Sequence, residues 1–121
     1  LCRKYGIDLI SMIAPTSRDR IAMIAKEAEG FLYIVSSLGV TGTRSTIDTD
    51  LESIVKEIKR NTDIPCAIGF GISSPSQAKK MSDIADGVIV GSAIIKLLER
   101  YGKDAPLHIG KFVKSMKEAI R

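Results

Sequence analysis

Four short apolar runs constrain this 121-residue chain more tightly than any other feature: Ile7 to Ile13, Phe31 to Val35, Cys66 to Phe70 and Val88 to Val90. None alternates cleanly with polar residues. A strand that is apolar almost throughout is buried on both faces, which marks a parallel sheet covered by helices rather than a half-solvated antiparallel one.

Each run is followed by a stretch with helical spacing. Ile21, Ile24, Ala25 and Ala28 recur at i, i+3, i+4 and i+7, and the pattern stops at Gly30. Leu51, Ile54, Val55 and Ile58 repeat it; Thr49 with Glu52 forms a capping-box pattern at its start, and Pro65 closes it. The third start combines Ser74 as cap, Pro75 at the first helical position and Gln77 as capping-box partner. A fourth helix is expected from Ala93 to Tyr101, with Ser92 as its cap. A fifth opens at Pro106 and sets Ile109, Phe112, Val113, Met116 and Ile120 on one stripe with lysines opposite. Leu1 to Tyr5 reads as the end of a preceding helix. Strand and helix thus alternate four times, and right-handed crossovers make such units a parallel α/β sheet. Periodicity alone leaves two architectures open, a small doubly wound sheet or half of an eight-fold barrel.

Composition narrows the function classes. With 45% apolar and 26% charged residues, a chain of this length removes roughly 65% of its unfolded surface from water and needs neither disulfide nor structural metal. The charge of +4 is spread over helical stretches, and even the Lys111, Lys114, Lys117 stripe lacks the dense basic patch and stacking aromatics of a nucleic-acid surface. Cys2 and Cys66 have no metal-ligand spacing and read as reduced thiols, Cys66 in the core. No apolar run approaches the ~20 residues of a membrane span, and no leader pattern opens the chain, so a cytoplasmic location is expected. The chain begins on Leu1 without an initiator Met, so further sequence is expected upstream.

Chemistry in parallel α/β folds sits beyond the carboxyl ends of the strands. The loops there are rich in glycine: Ser36 to Thr43 with Gly39 and Gly42, Gly69 to Ser74 with Gly69 and Gly71, and Gly91-Ser92-Ala93. Glycine lets the backbone approach a ligand, and a helix starting at Ser92 offers unpaired N–H groups and a positive dipole end to a phosphate. Other chemistries fit poorly. Gly69-Phe70-Gly71 lacks the third glycine of a dinucleotide fingerprint, and Val90-Gly91-Ser92-Ala93-Ile94 is no nucleophile elbow. His108, the single histidine, is expected to be exposed. Asp8, Asp83 and Asp86 fall at strand starts, the end that serves stability, and Asp48, Asp50 and Glu52 crowd a helix start. No carboxylate pair suited to general acid and base work stands at the strand ends. No metal or cofactor is implied.

At these loops the sequence resembles the tryptophan synthase alpha subunit family, TIM-barrel lyases, over essentially all 121 residues. The resemblance rests on Ala14-Pro15-Thr16, Gly39-Val40-Thr41-Gly42 after Tyr33, Gly69-Phe70-Gly71-Ile72-Ser73, the run Ala85 to Ile94, and the closing helix from Phe112 to Arg121. It implies a partial domain spanning residues 1–121, strands five to eight of a (β/α)8 barrel that needs about 250 residues in full. It further implies retro-aldol cleavage of indole-3-glycerol phosphate to indole and glyceraldehyde 3-phosphate, with indole passed to a beta subunit in an alpha2-beta2 tetramer. Gly42, Gly71, Gly91 and Ser92 would hold the phosphate; Tyr33, Phe70 and Ile89 would line the pocket; Thr41 would belong to a closing loop. Ser37 departs from the Arg that many relatives carry there. The family's acid and base carboxylates belong to the other half of the barrel, so no catalytic residue is expected here, and 121 residues alone are expected to be inactive. The alternatives are another phosphate-binding barrel enzyme of amino-acid biosynthesis, or a non-catalytic half-barrel scaffold that self-associates through its open strand edges.

Overall fold

A computed structural model describes residues 1–36 and 44–121, with the side chains of residue 18 and residues 44–50 outside the description. Four parallel strands, β1 (Ser11–Ile13), β2 (Leu32–Val35), β3 (Cys66–Gly69) and β4 (Gly87–Ile89), pair in the order β1-β2-β3-β4. The helices are α1 (Ile21–Glu27), α2 (Arg44–Asn61), α3 (Pro75–Ser82), α4 (Ser92–Tyr101) and α5 (Ala105–Ala119), with 3-10 turns at Cys2–Tyr5, Pro15–Arg20 and Gly102–Asp104. The strictly sequential order separates the two architectures. A doubly wound sheet reverses its strand order at a switch point, whereas a barrel keeps winding in one direction.

The register explains which residues meet. Ile13, Ile34, Ile68 and Val88 form one row across the sheet, and Met12, Tyr33, Ala67 and Gly87 the next. Side chains alternate between faces along a strand, so the two rows face opposite ways. The first row, with Leu32 and Cys66, packs against Ile21 and Ala25 of α1, Leu51, Ile54, Val55 and Ile58 of α2, Ala78 of α3 and Met116 of α5 in one core. The other row is open: Met12 is 58% exposed, while Tyr33 and Ala67 are half-buried. The expectation of burial on both faces therefore holds for the helix side only. The open face is the one a barrel turns toward its own axis.

Several boundaries differ from the sequence reading. Ile7, Leu9 and Ile10 are exposed and lie outside β1, because β2 offers partners only from Leu32 onward. The helix expected to open at Thr49 begins at Arg44, which places Asp48, Asp50 and Glu52 within it rather than at its start. In α5, Met116 is buried and Phe112 packs against the core, as does Ile120 just past the helix end, but Val113 is exposed. The capping box of α3 forms as expected: the Gln77 N–H donates to Ser74 Oγ at 3.3 Å, and the Ser74 N–H donates to Gln77 Oε1 at 3.2 Å. Among the described residues no helix is long and apolar enough to cross a membrane.

At the amino-terminal end of the sheet Asp86 ties three elements together. Its Oδ2 accepts from Lys59 Nζ of α2 at 2.6 Å and from the Cys66 N–H that opens β3 at 2.8 Å. The Lys59 ammonium, then the Cys66 N–H, hold the Asp86 carboxyl below its ordinary range, and Asp86 in turn raises Lys59. A depressed carboxylate stabilises the fold above the unfolded carboxylate pKa of about 4 and loses that contribution as pH falls through its folded value; a raised lysine loses its own as pH climbs past about 10. Asp86→Ala is expected to cost about 1–2 kcal/mol at neutral pH, since it leaves the partly buried Cys66 N–H without its acceptor and Lys59 without its carboxylate. The cost should shrink below about pH 4. Urea midpoints at pH 7 and pH 3.5 measure it; an equal difference at both would remove the carboxylate from the account.

Candidate functional site

A cavity of about 370 Å³ opens at the carboxyl ends of β2, β3 and β4, lined by Tyr33, Phe70, Gly71, Ile72, Ile89, Gly91 and Ser92. Strand alternation brings Tyr33 and Ile89 to it. Val35, Gly69 and Ile89 are partners across the sheet and share the open face with Tyr33, two residues before Val35. Gly69 is what lets the Tyr33 ring lie across β3. A Cβ built on Gly69 would collide with the phenolic oxygen and Cζ of Tyr33.

The chain then turns sharply. Phe70 and Gly71 have φ of 85° and 76°, and Phe70 is the one non-glycine residue at positive φ among those described. Glycine takes that conformation freely; a bulky aromatic does not, and it holds only where the surroundings fix it. Ile72 follows, 5% exposed and seated in the core, so the turn is anchored from below while Phe70, 61% exposed, stands over the cavity mouth.

The opposite wall is the start of α4. Gly91 rather than Ser92 occupies the cap position, and Ser92 is the first helical residue with no side-chain cap bond. The Gly91 carbonyl accepts from the Ile94 N–H at 2.9 Å and the Ile95 N–H at 3.3 Å, so the helix is closed from its first turn. Its leading N–H groups have no intrahelical partner and carry the positive end of the dipole of a ten-residue helix. Gly91 has open space where a side chain would stand, and no carboxylate lines the cavity among the described residues. Hydroxyls of Tyr33 and Ser92, backbone N–H groups and an apolar wall are the chemistry on offer. Such groups can offer donors to an anion attached to an apolar body, and among the described residues no carboxylate or imidazole lines the cavity.

Tyr33, Phe70, Gly71, Ile89, Gly91 and Ser92, the residues singled out in the sequence, therefore come together in one cavity. Thr41 and Gly42 lie outside the described residues. Ile72 was not anticipated as a lining residue, although its place directly after Gly71 was the available signal. Cys66 is free and buried, and burial pushes its thiol pKa up, which keeps it protonated and inert. His108 is half-buried rather than exposed: its ring stacks on Tyr101 with centroids 3.6 Å apart.

The family model described as tryptophan synthase alpha chain matches residues 1–121. Among curated proteins, the tryptophan synthase alpha chain of Lacticaseibacillus casei is 51% identical over 120 residues, covering 99% of this chain and 45% of that one. That of Lactiplantibacillus plantarum is 53% identical over 117 residues, covering 96% and 44%. Among solved structures, tryptophan synthase subunit alpha from Campylobacter jejuni superposes with a TM-score of 0.82 at 37% identity, over 95% of this chain and 46% of that one. The chain thus spans less than half the length of the relatives it matches.

Proposed function

Because the chain belongs to the tryptophan synthase alpha chain family and has the fold of half its TIM barrel, we propose that it supplies the phosphate-holding half of a lyase active site. The substrate is indole-3-glycerol phosphate, cleaved by a retro-aldol reaction to indole and glyceraldehyde 3-phosphate. The carrying observation is the meeting of a glycine turn, a free helix start and an apolar wall in one cavity. Backbone N–H groups of Gly71, Gly91 and Ser92, with Gly42 from the loop after β2, hold the phosphate. Tyr33, Phe70 and Ile89 bound the glycerol and indole, with Ile72 beside them, and Thr41 belongs to the loop that closes over the site.

Holding the phosphate far from the bond that breaks anchors the substrate by contacts shared by the ground and transition states, so its binding energy acts mainly through KM. Protons at the reacting carbons must then be moved by carboxylates from the other half of the barrel. Residues 1–121 form one partial domain contributing strands five to eight. The natural setting of the complete subunit is cytoplasmic, with a beta subunit receiving indole.

The open sheet face, with Met12 exposed and β1 and β4 each paired on one side only, favours a second reading for the 121 residues by themselves: a non-catalytic half-barrel that self-associates. One assay separates them. Residues 1–121 joined to the remaining segment of the Lacticaseibacillus casei relative are expected to release indole from indole-3-glycerol phosphate, and residues 1–121 alone to release none. A folded but silent chimera would overturn the lyase reading; indole from the 121 residues alone would overturn the assignment of the proton-moving groups.

A further inference from the structure

Phe70 is held at φ 85°, and a constraint must come from somewhere. Ser36, directly after β2, makes two bonds to the turn that contains it. Its Oγ donates to the Phe70 carbonyl at 2.6 Å, and its N–H donates to the Gly69 carbonyl at 3.0 Å. The second bond continues the β2–β3 ladder one step past Val35 and Gly69. The first leaves the ladder and grips the peptide between Phe70 and Gly71, whose other end is the Gly71 N–H.

We infer that Ser36 is a positioning residue for the phosphate subsite: its hydroxyl fixes the Phe70–Gly71 peptide plane, and with it the direction of the Gly71 N–H and the place of the Phe70 ring at the cavity mouth. The peptide is planar, so fixing its carbonyl oxygen fixes its N–H. Without the hydroxyl, Phe70 relaxes toward negative φ, since a bulky residue in this region is strained by an amount comparable to one strong hydrogen bond. The peptide then rotates, and the donor leaves the cavity. This inference rests on the phosphate reading above and adds a residue that lies outside the cavity lining and carries no charge.

The test uses the chimeric lyase, with KM for indole-3-glycerol phosphate, Ki for inorganic phosphate and kcat as readouts. Ser36→Ala is expected to raise KM and Ki about tenfold with kcat changed less than about twofold, the pattern of lost ground-state binding. Ser36→Thr keeps the hydroxyl and should stay near the parent. In a Phe70→Gly background, where positive φ carries no strain, Ser36→Ala should have little further effect. Unchanged KM and Ki in Ser36→Ala, an equal loss in Ser36→Thr, or a full Ser36→Ala effect in the Phe70→Gly background would each overturn the inference. Gly91→Asp runs alongside. If it weakens phosphate while Ser36→Ala is silent, only the role of Ser36 fails. If Gly91→Asp also leaves Ki for phosphate unchanged, the phosphate reading fails and the inference with it.

Discussion

Gly91→Asp is expected to raise the KM of the complete lyase for indole-3-glycerol phosphate by about 100-fold, chiefly through charge. The fold itself accommodates the new side chain, because a Cβ at Gly91 meets no other group within 4 Å and φ there is −121°, so the loss falls on the phosphate, which the carboxylate repels and crowds. A carboxylate at that position stands at the mouth of the helix start proposed to hold the phosphate. Two like charges about 4 Å apart repel by about 4 kcal/mol at the effective dielectric of a protein surface, and solvent screening reduces this toward the 100-fold value. The same substitution should leave stability unchanged or raise it by about 0.3–1 kcal/mol, since an acid beside a helix N-terminus interacts well with the dipole. Affinity and stability are thus expected to move in opposite directions, a pairing that a merely damaged fold does not produce. Substrate KM, phosphate Ki and the melting temperature of the same preparation check it; unchanged KM and Ki would count decisively against phosphate binding at α4.

Much of this was legible because glycine and proline mark fixed places in an α/β unit. The capping box at Ser74 follows from its cap residues and the gathering of Tyr33, Phe70, Gly71, Ile89, Gly91 and Ser92 from loops falling at one end of a parallel sheet, whereas the residue pattern alone left the strand order open between two architectures. What was not legible depended on partners rather than on local chemistry. Ile7 to Ile10 are nearly as apolar as a strand, yet lack a neighbour to pair with before Leu32. The helix α2 begins at Arg44, ahead of Ser45, Thr46 and Thr49, so the cap pattern of Thr49 with Glu52 lies inside the helix and does not mark its start. The positive φ of Phe70 and the bond from Ser36 depend on the register that sets Val35 opposite Gly69, a relation between strands 34 residues apart. Asp86 was placed correctly at the stabilising end of the sheet, but its lysine partner on α2 comes from the tertiary packing.

The two faces of the sheet carry the second large expectation. Ile68 lies in the middle of β3 between Ile34 and Val88, fully buried under the helices, so Ile68→Ala should cost about 2–5 kcal/mol wherever it is measured. That is a large part of the ~5–15 kcal/mol that holds a domain together. Met12 is as apolar but belongs to the opposite row and is 58% exposed. In the 121 residues alone, Met12→Ala should change stability by no more than about 0.5 kcal/mol. Joined to the other half of the barrel, the same row faces the closed interior, where side chains fill the barrel in layers, and Met12→Ala should then approach the cost of a core truncation, about 2 kcal/mol or more. Urea unfolding of both substitutions in both settings measures this directly. A Met12 cost that stays small in the completed barrel would mean that the open face is not the barrel interior. A large Met12 cost in the 121 residues alone would show that a second copy already covers that face.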